Sequence, residues 1–234
     1  MRPAWLALTA WLPILAWSAA AIAPAARGQA GSASNPVVVP VVVVDFSNPG
    51  ISPSQWTLTL HRDGIGHFHS ERGKPPVGEH QEIDPPDLDR EIQLSAEFAE
   101  RVFIAARNHN WFNQDCDSHL KVAFQGWKKL SYLGPEGQGA CTFNYSKDKD
   151  IQALGDSLVG VAETLREGAR LQMLLQHDPL GLDQEMEYLT QAAKDGRVQQ
   201  VGAIREILER LADDQDVLDR VRKRARVLLK QAGT

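Results

Sequence analysis

The chain has 234 residues, of which 43% are apolar and 24% charged, with a formal charge of −5 and a sequence pI of about 5.8. That composition belongs to a folded globular protein and excludes wholesale disorder and collagen-like, disulfide-dense or polytopic membrane chains. The acidic balance leaves no overall basic field for an anionic membrane or for nucleic acid, so no nucleic-acid partner is expected.

Residues 1–30 contain Arg2 and Arg27, no acidic residue, and an apolar run from Ala4 to about Ala23. A basic start, an apolar stretch and small residues before a polar region are the parts of a secretory signal peptide. Pro24 disfavours a cut after Ala23, so cleavage is expected after Ala25 or Ala30. An uncleaved anchor is the alternative, since a run of about 19 residues is just long enough to span, but Pro13 and the alanine-rich end favour cleavage. The expected location is therefore periplasmic or secreted, with no membrane span after signal cleavage.

Residues 31–50 read as an extended N-terminal segment, small and polar and then valine-rich, in which Val41–Phe46 is a candidate strand that must be covered. Trp56, Leu58 and Leu60 alternate with Thr57, Thr59 and His61, and Phe68 lies beyond Asp63-Gly64 between His67 and His69. A three-residue loop, Arg62-Asp63-Gly64, pairs Leu58 with Phe68 and keeps one apolar face, whereas a two-residue loop mixes the faces. Residues 72–90, with Pro75-Pro76, Pro85-Pro86 and many charges, read as an exposed loop. Ser95 is the expected N-cap of a helix of about fifteen residues carrying Phe98, Val102, Ala105 and Ala106 on one stripe.

Three short strands are then expected: Leu120–Gln125, Lys128–Leu133, and Cys141–Tyr145 after a glycine-rich loop over 134–139. The chain has two cysteines, Cys116 and Cys141. In an oxidising compartment they are expected to form one disulfide closing a loop of about 26 residues, worth roughly 3.5 kcal/mol of chain entropy. A redox-active pair is the alternative, but the C-x-x-C spacing that lowers a thiol pKa is missing.

From about Asp148 the period becomes helical. Ile151, Leu154, Leu158, Val161 and Leu165 form the seam of a long helix to about Gln176. Gly155, Gly160 and Gly168 each weaken it by about 1 kcal/mol relative to Ala, which close packing against a neighbour would explain. His177-Asp178-Pro179 ends it, and three helices near 183–195, 197–212 and 215–231 follow. The last is acidic first and basic last, as the helix dipole favours. The fold class expected is α+β: a small antiparallel sheet with helices on its apolar face (an α+β domain over 51–147), then a long helix and a helical hairpin or bundle (148–234).

Gly155-Asp156-Ser157-Leu158 spells the short signature of one esterase family but lies inside a helical pattern, and Leu174 stands where the Asp paired with His177 would be. Asp148-Lys149-Asp150 resembles the opening of a calcium loop, yet Ala153 replaces the turn glycine and Val159 the bidentate Glu. Gly134, Gly137 and Gly139 precede a strand, not the helix N-terminus of a phosphate cradle. Trp56, Trp111, Trp127, Phe112 and Tyr132 read as core aromatics rather than a carbohydrate platform. His61, His67 and His69 point away from the apolar face of the hairpin, and three such imidazoles can supply ligands to zinc or copper. The hairpin itself offers no obvious carboxylate to orient them. A histidine-coated, pH-responsive surface is the softer alternative.

Ile204–Leu229, with Ile207-Leu208, Leu211-Ala212-Asp213-Asp214 and Val221 through Leu228-Leu229, resembles one helix pair of a HEAT-type repeat. No second copy follows at that period, so the resemblance implies helix packing and not a solenoid. In layout the chain is similar to uncharacterised exported bacterial proteins, a resemblance that implies a cell-envelope location and transfers no catalytic residue. With no catalytic constellation in the sequence, the expected function is a non-enzymatic module that binds a protein partner in the envelope. Metal binding by the histidines, or an enzyme built from scattered residues, are the alternatives.

Overall fold

A computed structural model describes residues 38–73 and 85–233. The expected signal sequence and the Pro75-Pro76 part of the expected loop lie outside the described residues. From Val38 the chain forms one compact α+β unit, whose sheet contains β1 (Val41–Ser47), β2 (Gln55–His61), β3 (Ile65–Glu71), β4 (Leu88–Gln93), β5 (Trp127–Gly134) and β6 (Gly137–Phe143). All neighbours are antiparallel, in the order β4-β3-β2-β1-β5-β6.

The valine run earns its burial by position. β1 is the middle of the sheet, paired with β2 on one side and β5 on the other, so Val42, Val44 and Phe46 are buried. The stretch over 31–50 therefore contains a central strand rather than only an extension ahead of the domain. The hairpin follows the expected register: Leu58 pairs with Phe68, and Gly64 turns the loop with φ +84°, a region glycine enters without steric cost. Its missing Cβ also matters, because one would stand 2.3 Å from the Leu94 carbonyl oxygen.

Two strands depart from the sequence reading. β4 begins inside the stretch expected to be loop and runs three residues past it; the sequence did not reveal it because Leu-Asp-Arg-Glu-Ile-Gln buries only Ile92 and shows no clean apolar alternation. It is an edge strand whose charges discourage further pairing. Leu120–Gln125 is not a strand: the whole segment is exposed, so its alternation has no buried side to serve. Its backbone is held instead by Asn144, whose side chain bonds Gln125 N–H (2.7 Å) and the Ala123 carbonyl (3.2 Å). The loop expected over 134–139 shrinks to Pro135-Glu136, and the glycines enter β6, where Gly137 and Gly139 let Trp111 and Asn113 lie against the sheet.

One face of the sheet carries the helices. α1 (Ala96–Asn108) is capped by Ser95, whose Oγ accepts from Phe98 N–H at 3.2 Å, and buries Phe98, Ala99, Val102, Phe103 and Ala106. Phe103 meets Tyr132 of β5 edge-on, with ring centroids 6.1 Å apart. After α1, Asn110, Trp111 and Phe112 form a left-handed 3-10 turn (φ 52°, 58° and 63°). Phe112 is buried, Trp111 stacks on Tyr132, and the Cys116–Cys141 disulfide joins the next loop to β6.

α2 (Lys149–His177) crosses the same face, with Asp148 as N-cap and Ile151, Leu158, Val161 and Leu165 buried. Its glycines are contact points: added Cβ atoms would meet the Phe143 ring at Gly155, Gln199 at Gly160 and Ile204 at Gly168. α3 (Leu182–Lys194), a 3-10 turn (Val201–Ile204), α4 (Arg205–Asp213) and α5 (Asp219–Ala232) complete the unit. The helix expected from 197 starts only at Arg205, since Gln200 is left-handed (φ 56°) and Gln199 N–H is bonded by Gly160 and Thr164 of α2. α4 and α5 bury Ile207, Leu208, Leu211, Val221, Ala225 and Leu228, and one apolar core runs from the sheet to α5.

Candidate functional site

The other face of the sheet is not covered by any described element. Its side chains are half-buried or exposed in every strand, while the alternate positions of β1, β2 and β3 are buried under the helices. The register sets Asp89, His69, Thr57, Asp45, Lys129 and Thr142 in one row across all six strands. Within it Thr57 Oγ1 donates to Asp45 Oδ1 (2.9 Å), Lys129 Nζ lies 3.7 Å from Asp45 Oδ2, and His69 Nδ1 meets Asp89 Oδ2 at 3.0 Å. A depression of about 400 Å³ opens over this row, lined by Asp45, Thr57, His69, Glu71, Trp127 and Lys129.

Trp127 lines it, and Phe124 meets Trp127 edge to face with centroids 5.9 Å apart. They are 46% and 50% exposed, and Leu120 (52%) and Val122 (42%) are as open, an apolar content that folding alone does not require. The loop presenting them is fastened at several points. Cys116 is bonded to Cys141, Ser118 N–H donates to the Tyr145 carbonyl, and Asp117 accepts from the backbone of both His119 (2.6 Å) and Asn144 (3.0 Å). Those two N–H groups hold the Asp117 carboxyl below the usual carboxylate range.

The hairpin histidines occupy this open face, each with its own partner. His61 Nδ1 lies 3.4 Å from the Pro40 carbonyl oxygen. His67 meets Glu91 through Nδ1 (3.0 Å) and Asp89 through Nε2 (3.1 Å), so Asp89 sits between His67 and His69. Glu71 at the end of β3 lies 3.8 Å from His69 Nε2, but the closer carboxylates come from β4, which the sequence pattern did not reveal as the hairpin's neighbour. Among the described residues, the group whose ligand atoms all lie within 4.8 Å of one another is His109, Asp148 and Asp150. There Asp148 caps α2 through Oδ1 while Oδ2 meets His109 Nδ1 at 3.2 Å, which ties the end of α1 to the start of α2.

The remaining motifs are structural. Asp156 accepts from Gln152, Leu158 is buried and Gly155 packs on Phe143, so the esterase-like tetrapeptide is one turn of α2. Trp56, Phe112 and Tyr132 are core residues, and Trp127 alone of the aromatics weighed as a platform is exposed. Among the described residues no helix is long and apolar enough to cross a membrane. No protein-family model matches the chain, and no curated protein matches its sequence.

Proposed function

We propose that the chain is an exported, non-enzymatic module of the cell envelope that docks a partner protein on its open sheet face. The observation that carries this reading is exposed Trp127 at a polar depression, with Phe124 packed on it and Leu120 and Val122 exposed in the same fastened segment. Exposed aromatics on a pre-ordered surface are the anchors protein interfaces use, because little entropy is lost on binding. The leader expected over residues 1–30 and the disulfide support an exported protein. The partner surface would present an apolar group to Trp127 and a cationic one toward Asp45 and Glu71.

The test is site-specific photocrosslinking in the intact envelope from position 127, with exposed Glu209 on α4 as the control site. A single defined adduct at 127, absent at 209 and reduced about thirtyfold by Phe124→Ala, is expected, as for a hot spot worth ~2 kcal/mol. No adduct at 127, or the same adduct at both sites, rejects the reading.

Zinc or copper on His61, His67 and His69 is a second reading, favoured by the carboxylates that β4 brings to His67 and His69. It requires the imidazoles to leave those partners and converge. Metal analysis of native protein beside the triple His→Ala variant decides it: equal trace metal in both rejects it.

A further inference from the structure

Glu167 is fully buried in α2, and its Oε2 has no hydrogen-bond donor among the described residues. A carboxylate in that position would leave a charged oxygen unsatisfied in a medium that penalises it severely. Across the helix interface lies Glu185, in the first turn of α3, also buried and within hydrogen-bond reach of Glu167. Two carboxylates cannot share such a contact, because both are acceptors, whereas a carboxylic acid and a carboxylate can.

The surrounding charges point the same way. On α2, Arg166 spans Glu163 (Nη2–Oε1 2.9 Å) and Glu167 (Nη2–Oε1 3.0 Å), and on its far side it borders Ser70 and Arg72 at the end of β3. One turn further, Arg170 Nε lies 2.6 Å from Glu185 Oε2. From α3, the Tyr188 hydroxyl donates to Glu163 Oε1 at 3.1 Å. Glu163, Glu167 and Glu185 are thus gathered about Arg166 and Arg170, with Arg72 beyond Arg166.

We propose that Glu167 and Glu185 hold a single proton between them in the folded protein, and that this shared proton is a pH-operated clasp fastening α3 to α2. The Glu167 Oε2–H donates to the Glu185 carboxylate, which Arg170 holds in place. Burial first, then the hydrogen bond and negative charge of Glu185, push the Glu167 carboxyl up to about 9 from an ordinary value of 4.5. In the unfolded chain the same group releases its proton near the ordinary value. Folding therefore takes up a proton between those limits, and the stabilisation present below the lower limit is lost as pH rises toward the upper one. α3 leads to Val201–Ile204, α4 and α5, so loosening the clasp acts on the whole C-terminal helical layer.

Glu167→Gln tests the clasp, since the amide donates to Glu185 in the same place without titrating. The ratio of folding constants, wild type over Glu167→Gln, should fall about tenfold per pH unit across the window. Infrared spectra of the wild type at neutral pH should contain a protonated carboxylic-acid carbonyl band that shifts in D2O and is missing from Glu167→Gln. Parallel pH profiles for the two proteins overturn the proposal. Should the variant fail to fold, the wild-type infrared band decides alone, and its absence at neutral pH is equally fatal.

Discussion

Gly168 shows how much one missing methyl group decides. A Cβ there would lie 2.4 Å from Ile204 Cγ2, a distance that requires the buried Ile204 to move. On an exposed helix Gly→Ala stabilises by about 1 kcal/mol through propensity. Here overpacking of roughly 1–3 kcal/mol opposes that gain, so Gly168→Ala should lower stability, and in a double-mutant cycle with Ile204→Ala the two costs should be less than additive. Urea denaturation measures both; a net gain from Gly168→Ala would show the contact to be loose. The glycines themselves were legible as packing points, since three of them interrupt one helical seam. Their partners Phe143, Gln199 and Ile204 were not, because nothing local encodes which segment crosses a helix. The same holds for His67: its outward orientation follows from the hairpin register, but Asp89 and Glu91 are more than 20 positions away in a strand with no apolar alternation.

At the scale of elements, pattern and pairing come apart in opposite directions. β4 pairs without a pattern, and Leu120–Gln125 has a pattern without a partner. Alternation records which side chains have somewhere to be buried, and it equals a strand only if a neighbour offers its backbone. The left-handed turn at Asn110–Phe112 had no signature either, since asparagine alone of the three tolerates that region. Its conformational cost, about 1–2 kcal/mol per residue, is offset by burial of Phe112 and stacking of Trp111 on Tyr132. The disulfide fastens the chain just beyond it, with Cys116 and Cys141 separated by 25 positions. Replacing both cysteines with serine should cost about 3 kcal/mol. Faster amide exchange should accompany it in the loop carrying Phe124, but not in α3–α5. An unchanged denaturation midpoint would mean that the hydrogen bonds of Asp117, Ser118 and Asn144 suffice to hold the loop.

For the whole molecule, the question is whether the helical region from 148 is a domain. Gly155 of α2 packs on Phe143 of β6, Gln200 accepts from Ser95 N–H at the start of α1 (2.8 Å), and the apolar core is continuous from Val42 to Leu228. Elements that share one core melt together. Unfolding followed by tryptophan fluorescence, which reports the sheet through Trp56, should coincide with helix loss by far-ultraviolet circular dichroism. A separate, earlier helical transition would instead identify α4 and α5 as an independent unit.

What the amino-acid sequence determined by itself is local: the α+β class, the hairpin register, the cap at Ser95, the long helical seam and the cysteine pair. Periodicity, turn chemistry and capping act within a few residues, and so they can be read along the chain. Only the tertiary structure decided that β1 is central and β4 an edge. It also decided that one sheet face stays open beneath Phe124 and Trp127, and that Glu167 meets Glu185. Those facts depend on which distant segments come into contact, and burial or exposure of a charge is a property of that contact rather than of the residue.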